Sequence, residues 1–356
     1  MVAAISAWWC CCEEREEGRR REARDPSLLS PLSSPYHLSF CFLLSQCSQL
    51  LVQHLGAVFD HVAMSKTSEF WVGPVLGEGT FGRVFGGRHK TSGTIVAIKV
   101  LTEPSIAVHE QKQLRRLDGS DFVVSLWSSF YDEHAFYLVL ECMAGDLSQI
   151  GTWEPRFAEG VLSAIESIHS KGVLHADIKP SNVLVSSEGR VKLTDFGSSV
   201  DLGSKSSRRV RWIGTTAFSS PEVIRGLDHL TVAADLWSYG CLLYAMRNGG
   251  KASPFDAETE ALVCDRILWH QPSSAVAEKD GWDDVISNLL QPCPGGRLGA
   301  GDYQESPTAV RYESLRRLSV FQSIDISSEP SAPLEARTWS EDSLQDGDRG
   351  WEVFLA

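Results

Sequence analysis

The sequence predicts an α+β chain in two lobes, a small antiparallel sheet with one main helix followed by a larger, mostly helical lobe. Three observations carry this. Between Phe70 and Leu140, short apolar runs alternate with polar turns at a period of two, the mark of half-buried strands. From Pro155 onward the apolar residues recur at helical spacing. The chain is organised around the stretch Val173 to Gly197, VLHADIKPSNVLVSSEGRVKLTDFG, which packs charged and amide side chains, two apolar runs and a second acidic turn into one compact unit.

At 356 residues, 43% hydrophobic and 22% charged, the chain reads as globular with a substantial core. A net charge of −13 argues against nucleic acid as a partner, since that affinity comes from clustered Lys and Arg. Cys10, Cys11, Cys12, Cys41 and Cys47 crowd the N-terminus. Cys142, Cys241, Cys264 and Cys293 are scattered, with no metal-ligand spacing. Reduced thiols and a cytoplasmic location, with nuclear access open, are therefore expected.

Residues 1–66 read as a poorly ordered extension, with a charge run from Glu13 to Arg24 and a Ser/Pro-rich segment from Asp25 to Pro35. No basic n-region precedes MVAAISAWWCCC, so a secretory signal fits poorly. Ser45, Gln46, Ser48, Gln49, Gln53 and His54 interrupt the apolar run Leu38 to Phe59. It falls short of the roughly 18 apolar residues of a spanning helix, so no transmembrane helix is expected, and a surface-lying or core-docking helix stays open. Met64 lies just before the organised region, and the extension reads as a segment that need not belong to the native protein.

The first strand runs from Phe70 into Gly77-Glu78-Gly79-Thr80-Phe81-Gly82-Arg83-Val84. Alone, G-x-G-x-x-G is shared with dinucleotide-binding turns; here Val84-Phe85 continues as a strand, which disfavours that reading. A glycine-rich hairpin brings backbone N–H groups close to phosphates. The strand Thr94 to Leu101 holds Val96-Ala97-Ile98-Lys99, and alternation points Ala97 and Lys99 to the face under the hairpin. The stretch Ser105 to Leu117 reads as the main helix, with Glu110 as the carboxylate for Lys99 although only eleven positions separate them. Glu103 is the fallback, but it precedes Pro104 and is not expected to be helical.

Phe122 to Leu126 and Ala135 to Leu140 read as two further strands. A connector, Glu141-Cys142-Met143-Ala144-Gly145-Asp146, follows; its extended backbone offers N–H and C=O groups to adenine, with Leu140 setting access behind it. Asp146 reads either as a ribose acceptor or as a helix N-cap. The helix opened by Pro155 buries Phe157, Val161, Leu162, Ile165 and Ile168. Ala233 to Met246 is apolar on nearly all faces and must satisfy Asp235, for which catalytic-loop N–H groups are the expected partners. Trp282 to Leu290 and Thr308 to Phe321 read as two more helices, before an acidic, Ser-rich tail over 323–356.

The central stretch carries the chemistry. Mg²⁺ takes hard oxygen ligands, here Asn182 and Asp195; an accepting hydroxyl needs a carboxylate, Asp177; a transferring phosphoryl group needs a cation, Lys179. H-x-D-x-K-P-x-N followed by D-F-G resembles the catalytic and metal loops of a protein kinase. Residues 67–322 are similar to the eukaryotic protein kinase domain, with a small lobe over 67–143 and a large lobe over 144–322. Lys179-Pro180-Ser181-Asn182 looks like the Ser/Thr type. Arg297-Leu298-Gly299 with Tyr312 and Phe321 is similar to AGC-group domains. The stretches around Asp195, Ser219-Ser220-Pro221-Glu222 and Asp235 look most like the 3-phosphoinositide-dependent branch. The short stretch past Phe321 leaves no room for that branch's lipid-binding pleckstrin domain, so 3-phosphoinositide binding is not implied.

The resemblance implies ATP and Mg²⁺ as cofactors and a protein substrate with a Ser or Thr acceptor. The cradle would be Leu76, Gly77, Gly79, Gly82, Val84, Ala97, Leu140, Glu141, Met143, Asp146 and Leu184, with Thr215 bonded to the catalytic Asp177 and Lys179. Leu114, Leu126, His175 and Phe196 would stack between the lobes, and Glu222 would pair with Arg297. Ala176 stands where an arginine usually clasps a phosphorylated activation-loop residue, and Arg211 stands where that residue usually sits. An activation segment ordered without phosphate is therefore expected, with a basic run of Lys205, Arg208, Arg209 and Arg211. Ser181, where basophilic kinases often carry Glu, weighs against an Arg-directed substrate. Trp351-Glu352-Val353-Phe354 resembles the aromatic motif that braces the main helix of AGC kinases, or is a frayed end. The alternative function is a nucleotide-binding pseudokinase scaffold; a small-molecule kinase is disfavoured by the Ser-Pro-Glu end of the activation segment.

Overall fold

The computed structural model describes residues 67–79, 82–132, 135–150, 154–203, 216–227, 230–250, 252–270, 272, 281–299, 312–325, 335–340 and 343–346. The N-terminal extension, Thr215, the basic run 205–211 and Trp351–Phe354 lie outside them.

The small lobe is an antiparallel sheet of β1 (Phe70–Gly79), β2 (Gly82–His89), β3 (Ile95–Leu101), β4 (Leu126–Tyr131), β5 (Phe136–Glu141) and β11 (Gln345–Asp346), in the order β11-β1-β2-β3-β5-β4. β1 and β2 form the glycine hairpin, closing at Gly79 opposite Gly82. Gly82 is required by close approach: a Cβ there would overlap the Val100 carbonyl of β3. One face of the sheet holds its own core, where Phe70, Phe130 and Tyr137 stack at centroid distances of 6.3 and 4.8 Å.

The main helix, α1 (Pro104–Arg116), starts two residues after β3 with Pro in its first turn, where a missing N–H is harmless. It buries Ile106, Ala107, Glu110, Gln113 and Leu114. That abrupt start explains the short Lys99-to-Glu110 spacing. Glu103 is extended, at φ −100° and ψ 105°, and takes no part.

Two boundaries differ from expectation. The fourth strand begins at Leu126 rather than spanning Phe122 to Leu126. Val123 instead makes an isolated parallel bridge to Leu193, and Val124 is buried in the main core, so these β-branched residues serve packing between the lobes. Thr308 to Phe321 is not one helix: α8 (Tyr312–Arg316) and α9 (Ser319–Gln322) are separated by an extended Leu318, at φ −66° and ψ 141°.

The large lobe is built on α3 (Pro155–Ser170) and α5 (Ala233–Arg247), with short α2 (Leu147–Ile150) and α4 (Pro221–Ile224), and α6 (Glu260–Leu268) and α7 (Trp282–Leu289) outside them. Val161, Leu162, Ile165 and Ile168 of α3 are fully buried, each contributing about 1.5–3 kcal/mol. Above α3 sit β6 (Gly145–Asp146), β8 (Val183–Val185) and β9 (Val191–Leu193), and a second small sheet pairs β7 (Val173–Leu174) with β10 (Val200–Asp201). No helix among the described residues is long and apolar enough to cross a membrane.

Arg297 and Glu222 meet in a buried two-pronged ion pair, Nη1 to Oε1 at 2.5 Å and Nη2 to Oε2 at 2.7 Å. The guanidinium also donates to Ala233 O and lies 5.1 Å from the Trp237 ring. Glu222→Ala strands that cation and should cost about 3–5 kcal/mol of unfolding free energy in a denaturant melt; a loss under about 1 kcal/mol would show that the pair does not hold α4 to the lobe.

Candidate active site

Lys99 is the meeting point of three elements. Its Nζ donates to both Glu110 oxygens at 2.7 Å and to Asp195 Oδ1 at 2.9 Å, so β3, α1 and the turn after β9 converge on one ammonium. Burial works against this charge, but the Asp195 and Glu110 carboxylates outweigh it and hold the Lys99 pKa above the usual lysine value. Glu110 is fully buried; burial pushes its carboxyl up, with Lys99 opposing. For Asp195 the balance falls the other way: burial is outweighed by Lys99, His175 and Lys179, and the pKa drops to about 2. Asp195 is thus an anion throughout the physiological range, with its side chain 40% exposed to the cleft.

The catalytic loop hangs from Asp235. Its Oδ2 accepts from His175 N at 2.8 Å and its Oδ1 from Ala176 N at 2.8 Å, the partners expected for this buried acid. His169 of α3 also donates to Oδ2, at 2.7 Å, and its other ring nitrogen meets the Tyr312 hydroxyl. These bonds hold Ala176 at φ +63°, a left-handed conformation that costs a non-glycine residue about 1–2 kcal/mol. Asp195 is left-handed too, at φ 63° and ψ 72°. Of the non-glycine residues with positive φ among those described, two of three are in this site.

From that scaffold Asp177 and its partners project. Lys179 Nζ donates to Asp177 Oδ2 at 2.8 Å, and Asn182 Nδ2 donates to Oδ2 and to the Asp177 carbonyl, both at 2.9 Å. Burial raises the Asp177 pKa and Lys179 opposes the rise. With its nitrogen held by Asp177, Asn182 has its amide oxygen to offer a cation. His175 donates to Thr194 O at 3.0 Å and packs on Phe196 with ring centroids 4.8 Å apart and planes tilted by 51°.

Lys99, Asp177, Lys179, Asn182 and Asp195 face one cleft of about 610 Å³ between the lobes, within the range of small-molecule sites. Leu76, Gly77, Gly79, Gly82 and Val84 line it from the hairpin, and Ala97 and Lys99 from β3. Leu140, Glu141, Met143 and Asp146 line it from the connector, and Asp177, Lys179, Asn182, Leu184 and Asp195 from below. A Cβ at Gly77 would meet nothing within 4 Å, so the hairpin leaves open space at that point. Among the described residues no cluster of three or more His, Cys, Asp or Glu could hold a metal alone. Asp195 and the Asn182 amide are hard oxygen donors lining the cleft, a set that suits Mg²⁺, which binds through one or two carboxylates plus substrate phosphates.

The connector refines two assignments. Glu141's carboxylate takes Lys192 Nζ at 2.7 Å and Ser125 N at 3.2 Å, so its side chain is engaged within the protein. Its N–H goes to Ser125 O and that of Ala144 to Val185 O. Asp146 Oδ1 accepts from Ser148 N at 2.8 Å and Gln149 N at 3.2 Å, capping α2, which realises the N-cap reading. Two participants were not foreseen. His169 reads from sequence as one more residue of an amphipathic helix, and Arg337, which lines the cleft, belongs to a tail with no signal of its own.

Residues 70–308 match the protein kinase domain family, and the chain belongs to it. It is 29% identical over 283 residues to 3-phosphoinositide-dependent protein kinase 1 of Arabidopsis thaliana, covering 72% of this chain and 56% of that protein. It is 35% identical over 262 residues to an Aurora kinase of Schizosaccharomyces pombe, covering 68% and 72%. With the serine/threonine-protein kinase AtPK1/AtPK6 of Arabidopsis thaliana it shares 33% over 260 residues, covering 65% and 52%. The chain thus spans about half the length of two of these relatives. Their names, a 3-phosphoinositide-dependent protein kinase, an Aurora kinase and a serine/threonine-protein kinase, are in keeping with the resemblance read from the motifs.

The raised Asp177 pKa sets a pH dependence. A carboxyl displaced upward takes up its proton at higher pH, so kcat/KM should fall on acidification with a midpoint above the ordinary aspartate value of 3.8. Removing the opposing ammonium in Lys179→Ala should carry the midpoint further toward neutrality in the residual activity. An acid limb that does not move would separate Asp177 from the titration.

Proposed function

We propose that this chain is an active, Mg²⁺-dependent protein kinase that transfers the ATP γ-phosphoryl group to Ser or Thr hydroxyls of protein substrates, within a cytoplasmic signalling cascade. The observation that carries the reading is the joined pair of clusters, Lys99 with Glu110 and Asp195 on one wall and Asp177 with Lys179 and Asn182 on the other.

Each residue has a role in that reading. Lys99, fixed by Glu110, neutralises the α and β phosphates under the glycine hairpin. Asp195 and the Asn182 amide oxygen would hold Mg²⁺, which when bound neutralises charge on the β and γ phosphates. Lys179 and Asn182 both hold Asp177 Oδ2, leaving Oδ1 as the acceptor for the substrate hydroxyl proton. The substrate oxygen forms its bond to phosphorus as the bond to the ADP oxygen breaks, and Lys179 neutralises the group in transit. Positioning and preset charge supply most of the rate.

The expectation of an activation segment that needs no phosphate has support at its start. His109 of α1 donates to Ser199 O at 2.8 Å, Arg116 pairs with Asp201 at 3.0 Å, and β10 is paired with β7. These bonds tie α1 to the segment without the arginine that Ala176 replaces.

Purified protein should phosphorylate a Ser/Thr peptide array, and Asp195→Ala should lower kcat at least about 10²-fold. Phosphatase treatment should leave the wild-type rate unchanged. Nucleotide uptake without any transfer would favour the scaffold reading, and activity abolished by phosphatase and restored by a loop phosphate would overturn the account of the activation segment.

A further inference from the structure

Asp235 does not hold the catalytic loop unaided. Its Oδ2 accepts from His175 N at 2.8 Å and from His169 Nε2 at 2.7 Å, and its Oδ1 accepts from Ala176 N at 2.8 Å. Asp235 and His169 are buried, at 0% and 3% exposure, where polar atoms need partners. A carboxylate offers no proton, so His169 Nε2 carries the one in this bond. A neutral imidazole with its proton there has a bare Nδ1, an acceptor that is costly to leave empty at this depth. The Tyr312 hydroxyl meets it.

A rivet one turn away brings Tyr312 to that nitrogen. α3 presents Glu159, Ser163, Glu166 and His169 at helical spacing along one face. Arg316 of α8 lies across the first three: Nε to Glu159 Oε1 at 3.0 Å, Nη2 to Ser163 Oγ at 3.0 Å and Nη1 to Glu166 Oε2 at 2.6 Å. Tyr312, one turn before Arg316 on the same short helix, meets the fourth, with ring centroids 6.1 Å apart. Leu315, between them, belongs to the main core. Charge on one side and apolar burial on the other thus set the register of α8 on α3 and deliver the hydroxyl to one atom.

We propose that Tyr312 is a positioning residue for phosphoryl transfer: its hydroxyl donates to His169 Nδ1, keeps the imidazole proton on Nε2, and so holds Asp235 against the loop that carries Asp177. Ala176, at φ +63°, is the strained end of this chain of bonds, and Asp177 follows it directly. A backbone kept in a costly conformation shifts when its anchor weakens. The loss therefore falls on the transfer step. It spares nucleotide binding, since Lys99, Glu110 and Asp195 are held from β3, α1 and the turn after β9.

The inference rests on the kinase reading, and the test separates the two. Tyr312→Phe keeps the ring and removes only the hydroxyl. On a peptide that the wild-type full chain phosphorylates, its kcat should fall about tenfold, the loss of one buried hydrogen bond, with KM for ATP unchanged. Leu315→Val loosens the same helix but keeps the hydroxyl, and should leave kcat at the wild-type value. Nitrogen-15 spectra of histidine-labelled wild type, with the His169 signals assigned by their loss in His169→Gln, should show Nε2 protonated and Nδ1 bare. The Nδ1 signal should move in Tyr312→Phe. A Tyr312→Phe kcat within about twofold of wild type, an equal loss in Leu315→Val, or a wild-type His169 with a proton on Nδ1 overturns the positioning role while the kinase reading stands. A folded wild type that transfers no phosphate overturns both.

Discussion

One ammonium group, Lys99 Nζ, decides whether this site exists. It lies on a strand, its first partner on a helix and its second on the turn after β9, and all three contacts are under 3 Å. Burying Glu110 completely is costly without a counter-charge, so a correctly placed main helix and a filled Lys99–Glu110 pair are one condition. The same ammonium draws the Asp195 pKa down to about 2, which leaves a hard anionic ligand facing the cleft. Removing Lys99 would leave the buried Glu110 without its counter-charge.

A second carboxylate, Asp235, does for the catalytic loop what Glu110 does for the small lobe. It sits at the start of a helix buried on every side and reaches the loop through two backbone N–H groups. Those bonds sustain the strained backbone at Ala176 and set the position of Asp177 next to it. Because His169 bonds Asp235 and Tyr312 together, the base of the loop is tied to the far side of the large lobe. The site is rigid from below and, through His109 and Arg116, joined to the main helix from the side. Preset geometry of this kind is what phosphoryl transfer needs, since the protein contributes charge and position rather than covalent steps.

What the sequence revealed divides along physical lines. The glycine hairpin, Lys99, Asp177, Asn182 and Asp195 were legible because their chemistry tolerates few substitutes and local spacing places them. Glu110 was legible despite its short distance from Lys99, because only a helix starting at Pro104 puts a carboxylate on that face. The fourth strand was misplaced since Val123 and Val124 carry strand-like side chains into a non-strand core position. The break at Leu318 was hidden because the apolar spacing on both sides suits a helix. The capping role of Asp146 was one of the two readings its position allows, whereas the Lys192 partner of Glu141 depends on a chain segment far away. The β11 pairing was illegible for a related reason: two residues of strand have no pattern, and only the edge of β1 defines them.

The central claim is that separate acids, an amide and ammonium groups form one nucleotide-dependent metal site. Electron paramagnetic resonance of Mn²⁺, added with a non-hydrolysable ATP analogue, tests it directly. The account predicts Mn²⁺ uptake by the wild type only when the nucleotide is present, and loss of that uptake in Asn182→Ala. Uptake without nucleotide, or uptake undiminished in the variant, would contradict it.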